Sequence, residues 1–94
     1  MTFQRVLDTS GLTKIELAQL YDVSRQTLHY WRTVAPPRPG SHIARMAETV
    51  TAAILGAVNR GILPLGGGLS KEARRARVAK MSATLQNLKP APRG

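Results

Sequence analysis

Residues 24–33 read SRQTLHYWRT, a run of guanidinium, amide, imidazole, phenol and hydroxyl groups that no acid interrupts. Placed on a helix at about 100° per residue, Leu28 and Trp31 share one direction. The opposite direction holds Gln26, His29, Tyr30 and Thr33. Arg25 and Arg32 flank it on one side and Thr27 on the other. Such a face suits the donor and acceptor pattern that base edges present in a DNA major groove. An ordinary helical hairpin also needs an apolar inner face, but it gives no reason for a carboxylate-free outer one.

Other chemistry is poorly represented. The sequence contains no H-E-x-x-H, no nucleotide-binding loop with its Lys-Ser/Thr, and no clustered pair of carboxylates. The run Gly66-Gly67-Gly68 leads into Leu69-Ser70-Lys71 and follows no strand pattern, so it reads as a flexible hinge. Neither His29 nor His42 has an acid and a nucleophile close in sequence, and His42 reads as a partly exposed histidine in a first helical turn. Cysteine is absent, which removes disulfides and thiolate metal sites and fits a reducing compartment. The expectation is a protein that is not an enzyme and that uses no cofactor or metal.

The elements that must position the 24–33 face are marked by their own start signals. Thr13 and Glu16 have the spacing of a capping box, with Leu12 and Leu17 placed for a hydrophobic staple. Ser24 is a good N-cap for the second helix, with Val23 and Leu28 at the staple positions. Asp22 lies between the two helices and tolerates a left-handed backbone, though less well than Gly. Leu17, Leu20 and Tyr21 share a face by i, i+3, i+4 spacing. Ala18 is small where two helices must approach. Leu28 and Trp31 are expected to be buried.

This stretch resembles the helix-turn-helix of the phage repressor and Cro family, in its wider form the XRE-like regulators. The likeness is carried by Leu12-Thr13, Glu16-Leu17-Ala18, Val23-Ser24-Arg25-Gln26-Thr27 and Trp31. It covers roughly residues 2–62. The resemblance implies base contacts from Arg25, Gln26, His29 and Tyr30, and buried apolar positions at Leu17, Val23, Leu28 and Trp31. Three departures stand out: Asp22 where the family usually has Gly, a short first segment, and everything after about residue 62.

Around the motif, residues 2–9 are expected to form a short helix capped by Thr2, with Phe3, Val6 and Leu7 on one side. Ser10-Gly11 ends it. Three prolines in residues 36–39 prevent any helix there and make an extended connector. Residues 41–60 start at the cap Ser41 and carry a broad apolar stripe of Ile43, Met46, Ala47, Val50, Ala53, Ile54, Ala57 and Val58. They form one helix of about five turns, or the ground of the two helices that the family packs there. Gly61 closes the segment, and Ile62-Leu63-Pro64-Leu65 can tuck back onto the core. Residues 70–88 form a basic helix candidate, capped by Ser70 and with Glu72 suited to its start. Val78, Met81, Leu85 and Leu88 make its apolar line. This helix can add phosphate contacts, pack on a partner subunit, or order only on binding. The tail 89–94 is expected to be disordered.

The fold expected is therefore all-α: a small helical bundle with a helix-turn-helix over residues 1–65, then a Gly hinge, basic helix and tail over 66–94. The net charge of +9 is uneven, with +2 in residues 1–40, +1 in 41–64 and +6 in 65–94. That distribution suits a polyanionic partner, nucleic acid first. Lys14, Arg32 and Arg38 are candidate phosphate contacts. Ser24, Thr27 and Thr33 join them as flanking contacts, and Arg74, Arg75 and Arg77 as contacts from the basic helix. No signal peptide and no membrane-spanning run is present, so a cytoplasmic protein is expected.

The function these readings point to is sequence-specific binding of double-stranded DNA. The natural role is transcriptional regulation in a bacterium or its phage, as a homodimer through helix 41–60 and the C-terminal helix. Recognition of a phage packaging or recombination site fits the same residues. So does a protein-interaction module that uses the basic tail. An RNA-binding role lacks a stacking platform beyond Tyr30 and Trp31.

Overall fold

The computed structural model describes residues 3–88, with only the backbone of Leu88. The expected cap Thr2, the side chain of Leu88 and the tail 89–94 lie outside the described residues. The fold is all-α, with five helices among the described residues: α1 (Phe3–Ser10), α2 (Lys14–Tyr21), α3 (Arg25–Thr33), α4 (His42–Asn59) and α5 (Lys71–Leu88). No strand occurs among the described residues. Helix α1 packs on α3 and α4, and α2 packs on α3, α4 and α5.

Each helix start follows from a local side chain. At α2 the Thr13 hydroxyl accepts from the Glu16 amide at 3.1 Å, and the Glu16 carboxylate accepts from the Thr13 amide at 2.9 Å. Both halves of the capping box are therefore present. Ser24, Ser41 and Ser70 each accept from the amide three residues on, all at 3.1 Å.

The helix ends are as specific. Asp22 has φ 58° and ψ 46°. Its amide donates to the Gln19 carbonyl at 3.1 Å, and the Val23 amide to the Ala18 carbonyl at 3.0 Å. This is a Schellman closure with Asp in the place that usually takes Gly. Gly61 repeats the closure at the end of α4 with φ 76°, its amide on Val58 and that of Ile62 on Ala57.

One core joins all five helices. Val6, Leu12, Leu17, Leu20, Tyr21, Leu28, Val50, Ile54, Leu63, Val78 and Leu85 are its larger members. Because Val78 and Leu85 belong to it, the Gly66-Gly67-Gly68 run bends α5 back onto α2 and α4 within a single packing unit. Residues 41–60 resolve as the single helix α4, 18 residues long. Its buried line is Ala44, Ala47, Val50, Ile54 and Ala57.

Four burial expectations need correction. Ile43 lies on the apolar stripe by spacing but is 56% exposed, and in the first turn of α4 it is the small Ala44 that is buried. Ile62 is 50% exposed, while its neighbour Leu63 fills the core and Leu65 is half-buried. Trp31 is only half-buried. The rings that cover it are Phe3, the first residue of α1, and Tyr21, the last of α2, with centroids 5.2 and 6.2 Å away. Val23, too, is half-buried at the edge of the core.

Candidate nucleic-acid interface

Helix α3 is capped at its start and fixed from behind by Leu28 and Arg32. Leu28 is fully buried in the core. Ser24 caps the N-terminal turn and donates its hydroxyl toward Thr27 Oγ1 at 2.9 Å. Near the C-terminal end, Arg32 donates through Nε and Nη2 to Gln4 Oε1 at 2.9 and 2.6 Å. Gln4 in turn donates to Asp8 at 3.0 Å, so a chain of polar contacts ties α3 to α1.

With its back held, α3 turns Arg25, Gln26, His29, Tyr30 and Thr33 to solvent. Among the described residues, none hydrogen-bonds to the side chains of Arg25, Gln26, His29 or Tyr30. Tyr30 is 52% exposed, a high value for a large aromatic in so small a core. The face thus offers an amide, a guanidinium, an imidazole and a phenol without internal partners. The Thr33 hydroxyl donates back to the His29 carbonyl at 2.7 Å and keeps its lone pairs free to accept. No acid lies on α3, and Asp22, two residues before its cap, is the closest one in sequence.

The remaining candidate residues divide into free cations and structural groups. Lys14 at the start of α2, Arg38 in the proline connector, and Arg75 and Arg77 on α5 are exposed. Ser24 and Thr27 serve the helix cap. Arg32 is half-buried and committed to Gln4.

Arg74 takes a different partner from its neighbours. Its Nε donates to Glu16 Oε2 at 2.6 Å and its Nη2 to Glu16 Oε1 at 2.8 Å. The same Nη2 reaches the Gly11 carbonyl at 3.1 Å. Arg74 precedes Val78 by four residues and Leu85 by eleven, so it lies on the inward stripe of α5. The guanidinium beside Glu16 holds that carboxyl below its ordinary pKa, against the opposing effect of burial. Arg74 therefore docks α5 on α2, and the exposed basic set of α5 is Lys71, Arg75, Arg77 and Lys80.

Neither Gln4 as the anchor of Arg32 nor Arg74 as the partner of Glu16 was expected from the sequence. Only the Arg74 spacing to Val78 and Leu85 could have pointed to one of them.

The chain has no significant match to any family model, curated protein or solved structure. Function must therefore be argued from the site itself. Among the described residues no group of three or more His, Asp or Glu is placed to hold a metal ion. No helix among them is long and apolar enough to cross a membrane.

Proposed function

We propose that the chain is a sequence-specific double-stranded DNA-binding protein that uses α2 and α3 as a helix-turn-helix. Helix α3 lies in the major groove as the recognition helix. Arg25 and Gln26 at its N-terminal end read bases, Arg toward guanine and Gln toward adenine. His29 and Tyr30 contact the duplex one turn further along. Lys14, Arg38, Arg75 and Arg77 neutralise phosphates, and Ser24, Thr27 and Thr33 flank the contact.

The observation that carries this reading is the outward face of α3, where the side chains of Arg25, Gln26, His29 and Tyr30 have no internal hydrogen-bond partner while Leu28 and Arg32 hold the helix from behind. Groups left unpaired on a fixed, acid-free helix are available to pair with a ligand that is itself rich in acceptors and negative charge. The turn adds support, since the left-handed Asp22 ends α2 and α3 begins only three residues beyond it.

The biological role that follows is transcriptional regulation by operator binding, in the cytoplasm of a bacterial or phage-infected cell. One short recognition helix covers few base pairs, so the regulator acts as a homodimer on two half-sites. The core consumes most of the α4 stripe. The dimer forms instead along the flank of α4, where Ala52 and Leu55, beside Ala44 and Ala47 at the edge of the stripe, line a groove of about 480 Å³ with Pro37 and Pro39.

Selection of bound duplexes from a random pool at near-physiological salt tests the reading. A palindrome with half-sites about 10 bp apart, or a multiple of that, is the expected outcome. Recovery of no motif, with binding that vanishes as salt rises, reduces the chain to a basic protein with electrostatic affinity.

A further inference from the structure

A groove of about 380 Å³ runs between the last turns of α4 and the middle of α5. Its floor is apolar: the accessible surface comes from Ala53, Leu65 and Met81, over the buried core residues Ile54, Ala57 and Leu85. Its rim is basic, with Arg60, Arg77 and Lys80, and no acid lines it. All three cations are exposed, and among the described residues none of them forms an ion pair. Ile62, half exposed, extends the apolar floor beyond the end of α4.

We propose that this groove docks a short amphipathic helix of a partner protein, apolar on one face and acidic alongside it. Two features must be matched together. A phosphate backbone satisfies the rim but leaves the apolar floor wet. A neutral apolar ligand covers the floor but leaves three cations without counter-charge. A second copy of this chain carries a net charge of +9, and its five acids are scattered singly along the sequence, so it brings cations to cations.

The dimensions fit a helix. From Arg77 to Leu85 the groove follows α5 for about 12 Å, at 1.5 Å per residue. Two turns of an incoming helix span that length and place apolar anchors at i, i+3 and i+4. Met81 lends the floor an adaptable side chain, and Ala53 and Ala57 on the α4 wall let a second backbone come close. The proposal shares only Arg77 with the DNA reading and otherwise stands apart from it, since the groove lies on α4 and α5 and includes no residue of α3.

The test is a titration of the isotope-labelled chain, followed by amide chemical shifts, with a synthetic Glu-rich helical peptide bearing Leu at i, i+3, i+4 and i+7. The expected result is saturable binding with Kd of roughly 10–100 μM and shifts concentrated at Ile62, Arg77, Met81 and Thr84. Lys80→Glu weakens binding about tenfold or more. Thr84→Glu, at the same rim, gives an independent loss should Lys80→Glu disturb the fold. Replacing the leucines of the peptide by serine abolishes saturation. Four results overturn the proposal. Equal binding of the serine peptide means charge attraction alone. Shifts that fall outside the groove place the peptide elsewhere. Decanoate binding as tightly as the peptide assigns the groove to a small anionic amphiphile. Shifts at these residues that depend on protein concentration without peptide assign it to a second copy of the chain.

Discussion

The guanidinium of Arg74 meets both carboxylate oxygens of Glu16, at 2.6 and 2.8 Å, across 58 residues of sequence. The same carboxylate closes the capping box with Thr13. One side chain thus starts α2 and docks α5. Glu16→Gln is expected to cost about 1–2 kcal/mol, allowing for partial solvent screening. The pH dependence has a definite sign. The pKa of Glu16 is lowered in the folded state, so its contribution is complete above the ordinary glutamate value of about 4.3. It is lost as pH falls through the lowered folded value. Urea unfolding from pH 6 downward checks this. Glu16→Gln and Arg74→Ala are each expected to flatten the acid limb, and an unaltered limb in both contradicts the assignment.

Tyr21 makes the matching alkaline prediction. Its hydroxyl pairs with Thr51 Oγ1 at 2.5 Å, linking α2 to α4. Burial pushes its pKa up to about 12. A raised value favours the neutral phenol in the fold, so the contribution is complete below the ordinary value of about 10 and fades as pH rises to about 12. Tyr21→Phe removes the hydrogen bond at a cost of about 1 kcal/mol. Thermal unfolding between pH 9 and pH 12 is expected to show a shallower decline for Tyr21→Phe than for the parent chain.

Asp22 holds a left-handed backbone at the negative end of the α2 dipole, two residues before the cap of α3. Both backbone and charge are unfavourable there. Asp22→Asn removes the charge and keeps the tolerated geometry. It is expected to raise stability by about 0.5 kcal/mol and to tighten DNA binding by removing the acid closest in sequence to the recognition face. Asp22→Val, β-branched at positive φ, is expected to lose about 1–2 kcal/mol. Denaturant midpoints for the two variants should fall on opposite sides of the parent.

On the selected duplex, Arg25→Ala and Gln26→Ala are each expected to cost about 1–3 kcal/mol and to relax preference at one base position. Arg75→Ala and Arg77→Ala are expected to weaken binding to all duplexes alike and to shallow the salt dependence. Equilibrium binding at several salt concentrations separates the two classes. A base-position effect from the α5 variants, or none from those of α3, reverses the assignment of roles.

What the sequence disclosed about this fold follows the range of each interaction. The caps at Thr13, Ser24, Ser41 and Ser70 were legible because each spans three residues. The outward face of α3 was legible for the same reason, since Leu28 fixes its phase from within the helix. The Arg74–Glu16 pair was not, because the spacing to Val78 and Leu85 puts Arg74 on the inward side of α5 but does not say which helix α5 meets after the glycines. Arg32 likewise looked like a flanking cation until α1 brought Gln4 to it. Ile43 and Trp31 satisfy the helical spacing for burial and still stay partly open, because spacing gives the direction of a side chain and not the reach of its neighbours.

The central claim is that α3 reads the duplex. Amide chemical shifts of the labelled chain, recorded with and without a selected duplex, test it most directly. The account predicts the largest changes at Arg25, Gln26, His29 and Tyr30, with smaller ones at Lys14, Arg38, Arg75 and Arg77. Changes confined to α5 and its flanking cations, with α3 unmoved, contradict it.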